Sequence, residues 1–65
     1  MKVREAIKLV QADGWRLVRT RGSHRQFKHP SKPGTVTIAG NLGEELKPKT
    51  TNSLLRQAGL KGKRR

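Results

Sequence analysis

The chain has 65 residues, 31% of them hydrophobic, no cysteine, and 16 lysines and arginines against four acids, for a net charge of +12. A length near 60 residues holds one domain that buries only about 60% of its unfolded surface, which excludes a second domain and a large core. The composition also excludes disulfides and cysteine-ligated zinc. No apolar run approaches the ~18 residues of a membrane span and no signal-peptide pattern opens the chain, so a cytoplasmic protein without metal or cofactor is expected.

The charge belongs to the domain itself. Setting aside Lys61, Lys63, Arg64 and Arg65, a short basic tail over 61–65, lowers it only from +12 to +8. Such a balance over residues 1–60 fits nucleic acid, an anionic membrane surface or an acidic protein partner.

Val3, Ala6, Ile7 and Val10 fall at i, i+3, i+4 and i+7. That spacing is the apolar stripe of an amphipathic helix, predicted over 3–13 and stopped by Gly14. From Trp15 to Thr20 the pattern alternates, with Trp15 and Leu17 on one face and Arg16 and Val18 on the other. Arg21-Gly22 predicts a tight turn, and a second strand follows over 23–28. The segment His29-Pro30-Ser31-Lys32-Pro33-Gly34 is a loop, because proline lacks an amide donor and glycine frees the backbone. Thr35 to Ala39 is a β-branched run with Val36 and Ile38 on one face, and Ala39 to Lys47 is a partly acidic connection.

The last helix opens near Pro48, which suits a first turn. Thr51, Leu54, Leu55 and Ala58 repeat the apolar stripe, Gly59 ends it, and Leu60 falls where a Schellman cap packs it on Leu55. The order α-β-β-β-α, with short loops between strands, predicts an α+β fold. Its three strands form an antiparallel sheet with both helices on one face.

Alternation assigns the side chains of the second strand to faces. Phe27, the only phenylalanine, is expected to point at the helices. His24, three residues earlier, then projects from the open face with Gln26 and Lys28. The same count leaves Arg25 and His29 on the helix side, at its edges.

The stretch from Trp15 to Phe27 carries the chemistry. It holds four arginines and His24, and no acid. An imidazole exchanges a proton near neutral pH, with an ordinary pKa of ~6.5, and cations around it would hold a phosphodiester. A small metal-free ribonuclease needs that pairing. His24 is the candidate general base, and Arg19, Arg21, Arg25 and Lys28 are the candidate phosphate-binding residues. His29 at a strand end is a surface residue or a second acid or base. Trp15 is placed in the core rather than against an RNA base. Ser23 has no base and acid arranged around it, so a triad is unsupported.

The residues Gly14-Trp15, Arg21-Gly22-Ser23-His24, Phe27, the Gly34-Thr35-Val36-Thr37-Ile38 strand and the closing Ser53-Leu54-Leu55-Arg56-Gln57-Ala58-Gly59-Leu60 cover nearly the whole chain. Together they resemble the HicA family of bacterial toxins. The resemblance implies a fold similar to a double-stranded-RNA-binding domain, messenger-RNA interferase activity with His24 as the catalytic histidine, and a HicB-like antitoxin as partner. A monomer is expected when the chain is free. Two departures from the family pattern stand out. Ala39-Gly40-Asn41 replaces a proline-x-histidine, and Lys49 stands where a glycine is common, adding positive charge at the unfavourable end of the helix dipole. The alternatives from other classes are a non-catalytic basic RNA-binding module and a protein-interaction domain for an acidic partner.

Overall fold

The computed structural model describes residues 1–60, and the basic tail over 61–65 lies outside the described residues. Helix α1 spans Val3–Ala12, strands β1, β2 and β3 span Arg16–Arg21, His24–Lys28 and Val36–Ala39, and helix α2 spans Pro48–Gln57. The strands form one antiparallel sheet in the order β1-β2-β3. Both helices cover one face, giving the expected two-layer α+β architecture, like that of a double-stranded-RNA-binding domain. Its smallest dimension is 16 Å.

Each helix buries the stripe its spacing predicts. Val3, Ala6 and Val10 of α1, with Leu54 of α2 and Ala58 just beyond it, pack on Trp15, Phe27, Val36 and Ile38. Ile7, Leu46 and Leu60 close the margin of this core. Both helices end in Schellman motifs, in which the two amides after the C-cap return to the last turn. Gly14 and Trp15 donate to the Gln11 and Val10 carbonyls at 3.0 Å each, and Gly59 and Leu60 donate to those of Arg56 and Leu55 at 3.1 and 2.8 Å. The residue after each C-cap is a glycine with positive φ, +108° at Gly14 and +72° at Gly59, a conformation costly for a residue with a Cβ.

The connection from Gly40 to Lys47 is tied to the start of α1. The Val3 and Arg4 amides, which have no partner within the helix, donate to the Glu44 and Leu42 carbonyls at 2.9 and 3.0 Å. Glu5 reaches back to accept the Lys2 amide at 2.7 Å, as in one half of a capping box.

Sheet register decides what each face carries. Phe27 pairs with Leu17 on β1 and Val36 on β3, and the hairpin turn is Gly22-Ser23, one residue later than the sequence suggests. Leu17 opposes Phe27, yet Arg19 opposes Gln26. Two steps on β1 therefore match one on β2, and Val18 is the extra residue of a β-bulge. Continued without that bulge, the alternation of β1 would send Arg19 and Arg21 to the helix side with Leu17. The bulge turns both toward the open face. Both helices pack mainly over β3, so β1 is an uncovered edge with all six residues exposed, Leu17 at 49% and Val18 at 56%.

Candidate nucleic-acid interface

The open sheet face is assembled by register. His24, Gln26 and Lys28 alternate on β2, and the β1 residues opposite them are Arg21, Arg19 and Arg16. On β3 the partners of His24 and Gln26 are Ala39 and Thr37. Directly opposed residues hold their Cβ atoms about 4.5–5.5 Å apart, so Arg21 is the cation nearest the imidazole, while Ala39 leaves the opposite flank open.

His24 begins β2 immediately after the Gly22-Ser23 turn. Its backbone is fixed by pairing on both sides, and the Gly40 amide donates to the adjacent Ser23 carbonyl at 3.2 Å. Its side chain is exposed and makes no hydrogen bond or ion pair among the described residues. Arg16, Arg19, Arg21 and Lys28 are likewise exposed and unpaired among the described residues. The open face thus carries four cations and one imidazole, with Arg21 beside His24, Arg19 next along β1, and Lys28 and Arg16 about 13 Å further along the strands. Their charge is available to an anion from outside.

No strand carries an acid. Glu5 lies in α1, Asp13 at its C-cap, and Glu44 and Glu45 in the connection after β3. Two of these are neutralised where they stand. Lys32 donates to Asp13 at 2.5 Å, and the hydrogen bond from its ammonium, with its charge, holds the Asp13 carboxyl below its ordinary pKa. The N-terminal ammonium does the same for Glu45, also at 2.5 Å. All four acids thus lie outside the strands that form the open face.

Arg25 stands apart from the other nominated residues. It pairs with Ile38, a core residue, and so belongs to the helix side. Its guanidinium donates to the Gly40 carbonyl at 3.0 Å and to that of Ser23 at 3.4 Å. These bonds pin the turn before His24 to the end of β3, which makes Arg25 a support of the site rather than part of its surface.

His29 is also occupied. The Ser31 amide donates to Nδ1 at 3.0 Å, which requires the ring proton on Nε2, and Nε2 donates to the Asp13 carbonyl at 2.7 Å. The ring stands edge-on to Trp15 at 5.3 Å. Neither nitrogen is left for a substrate. Trp15 itself is 1% exposed and donates its indole N–H to the Ala58 carbonyl at 3.2 Å, with Lys32 as second donor at 3.1 Å. It is a core residue, as its place beside Gly14 suggests.

Arg16 and Gln26 share the face although neither is among the residues nominated from the sequence. Arg16 shares the face because it opposes Lys28, and simple alternation puts it there too. Gln26 is placed outward by the same alternation as His24, but its neutral side chain gives no sign of a role in holding phosphate.

The fold and this face define a small basic α+β domain that presents one acid-free sheet surface around a single histidine. Residues 3–60 match the family model described as HicA toxin of bacterial toxin–antitoxin. The chain belongs to the HicA toxin family. No curated protein matches the chain in sequence. Among solved structures, a toxin–antitoxin complex from Streptococcus pneumoniae contains a chain 34% identical, with a TM-score of 0.74. The match covers 92% of this chain and 98% of the other. No helix among the described residues is long and apolar enough to cross a membrane.

Proposed function

We propose that this toxin is a metal-independent endoribonuclease that cleaves messenger RNA in the cytoplasm, with His24 as its general base. The carrying observation is the β1 bulge, which turns Arg19 and Arg21 onto the face that bears His24. In the reaction, His24 accepts the proton of a ribose 2′-hydroxyl. The freed oxygen attacks the adjacent phosphorus, and the bond from phosphorus to the 5′-oxygen breaks. The leaving oxygen takes up a proton from water or from the imidazolium just formed. Help of this kind from a positioned base is worth about 10²–10⁴-fold.

Arg21 and Arg19 hold the scissile phosphodiester and stabilise the negative charge that develops on it, while Lys28 and Arg16, further along the strands, hold the adjoining backbone. Arg25 is omitted from this set because its guanidinium is engaged by backbone carbonyls on the other side of the sheet. A HicB-like antitoxin neutralises the toxin by covering the same acid-free face with an acidic surface. The match to a chain of a toxin–antitoxin complex supports that pairing.

Incubating the purified protein with single-stranded RNA and determining the product ends tests this function. Cyclic 2′,3′-phosphate and 5′-hydroxyl ends, formed equally well in excess EDTA, are expected. Loss of cleavage on chelation, restored by magnesium, would contradict it, as would ends bearing a 5′-phosphate.

A further inference from the structure

The open face is cationic with one interruption. Gln26 lies at its centre, flanked across the ladder by Arg19 and Thr37, two residues from His24 on the same strand. It is half-buried where His24 and the four cations are exposed. Neither its carboxamide nor the Thr37 hydroxyl makes a hydrogen bond among the described residues. A neutral pair with free donors and acceptors adds nothing to the attraction of phosphate, for which charge suffices. Its chemistry suits a base edge. Phosphate contacts position a nucleic acid, while hydrogen bonds to base edges select its sequence.

We propose that Gln26, with Thr37 beside it, reads the base next to the scissile phosphate and favours adenine there, a role that presupposes the ribonuclease function proposed above. Two residues along a strand span about 6.6 Å, so one nucleotide can reach His24 with its sugar-phosphate and Gln26 with its base. The bases of single-stranded RNA are open on the Hoogsteen edge as well as the pairing edge. On the Hoogsteen edge adenine is the one base with an adjacent donor and acceptor, N6 and N7, that a carboxamide matches with two bonds. The Gln26 oxygen accepts from the exocyclic N6 amine and the Gln26 amide donates to N7. Thr37, whose hydroxyl serves as donor or acceptor, borders the same base.

The test uses DNA oligonucleotides containing a single ribonucleotide, which can be cut at one place only, with each of the four bases in turn on either side of that bond. Wild type should cut the adenine oligonucleotide about 10-fold faster than the others, the discrimination of one good bidentate pair. Gln26→Leu should still cut but level the four rates to within about twofold. Gln26→Glu should abolish the preference for adenine, because a carboxylate has nothing to donate to N7, and on that edge should move it toward cytosine, whose N4 amine donates and which presents no acceptor beside it. Thr37→Val, which keeps the β-branched shape, should weaken the preference without reversing it. Equal rates for wild type on all four bases, or a preference that survives in Gln26→Leu, would overturn the proposal. Anisotropy titrations of wild type and Gln26→Leu with the all-deoxy versions separate the two claims. Gln26-dependent adenine selectivity in binding without any cutting would keep the base-reading role and remove the ribonuclease. Cutting without base selectivity would do the reverse.

Discussion

Replacing Arg21 and Arg25 by alanine, one at a time, separates the two faces of the sheet. Both arginines lie within the same short basic run, so a model built on charge alone predicts equal effects. The geometry predicts opposite ones. The Arg25 guanidinium donates to the Gly40 carbonyl at 3.0 Å and, less favourably, to Ser23 at 3.4 Å. A bond from a charged donor is worth about 1.5–3 kcal/mol, and partial exposure of this one reduces the expected loss to roughly 1–2 kcal/mol. At 4–8 °C per kcal/mol for a domain of this size, Arg25→Ala should lower Tm by about 5–15 °C. Arg21 is exposed and unpaired among the described residues, so Arg21→Ala should stay within about 0.5 kcal/mol of wild type. Its effect belongs to binding. One phosphate contact fewer reduces the slope of log affinity against log salt by ~0.7 on single-stranded RNA. Thermal melts and anisotropy titrations across a salt series read both quantities. If Arg25→Ala flattens the salt slope as Arg21→Ala does, while melting like wild type, the assignment of the two faces is refuted.

Three further outcomes follow from the packing and the ion pairs. Phe27 is fully buried opposite Val36, so Phe27→Ala should cost about 3–5 kcal/mol, read as a loss of most native signal in urea melts. Gly14→Ala should destabilise by about 2 kcal/mol or more, since an alanine resists φ of +108° and its Cβ would lie 2.8 Å from His29 Nε2. A urea midpoint unchanged by that substitution would show that the His29–Asp13 contact is dispensable. The Asp13 and Glu45 carboxyls have folded pKa values below their ordinary ones. Their stabilising contribution is thus complete above the unfolded pKa and is lost as pH falls through the folded value. The urea midpoint should drop on acidification through the carboxylate range, and Lys32→Met should shrink that drop by removing the main cause at Asp13.

Much of this architecture is legible because local signals and burial agree. The stripes Val3-Ala6-Val10 and Leu54-Ala58, each closed by a glycine, state both helices and the faces they bury. Counting back from Phe27 places His24 outward and Arg25 inward, because β2 pairs regularly with both neighbours. The edge strand was less legible. Val18 looks like any alternating residue, and only pairing with β2 exposes it as the extra residue of a bulge. A bulge is a property of two strands, so no pattern within one of them states it. The charge run likewise groups Arg25 with Arg19 and Arg21, although the sheet separates them. The outward direction of Gln26 is legible by the same count from Phe27, but the Arg19 and Thr37 that flank it come from the ladder rather than from its neighbours in the chain.

The central claim is that one exposed histidine on this face performs the chemistry while the cations only hold the substrate. It is tested most directly by single-turnover cleavage of RNA by wild type and His24→Ala, with folding and RNA affinity measured on the same samples. His24→Ala should melt within about 0.5 kcal/mol of wild type, as expected for an exposed side chain without partners among the described residues. It should bind RNA with nearly unchanged affinity and cut it slower by about 10²-fold or more. A folded His24→Ala protein that cuts at the wild-type rate would contradict the account.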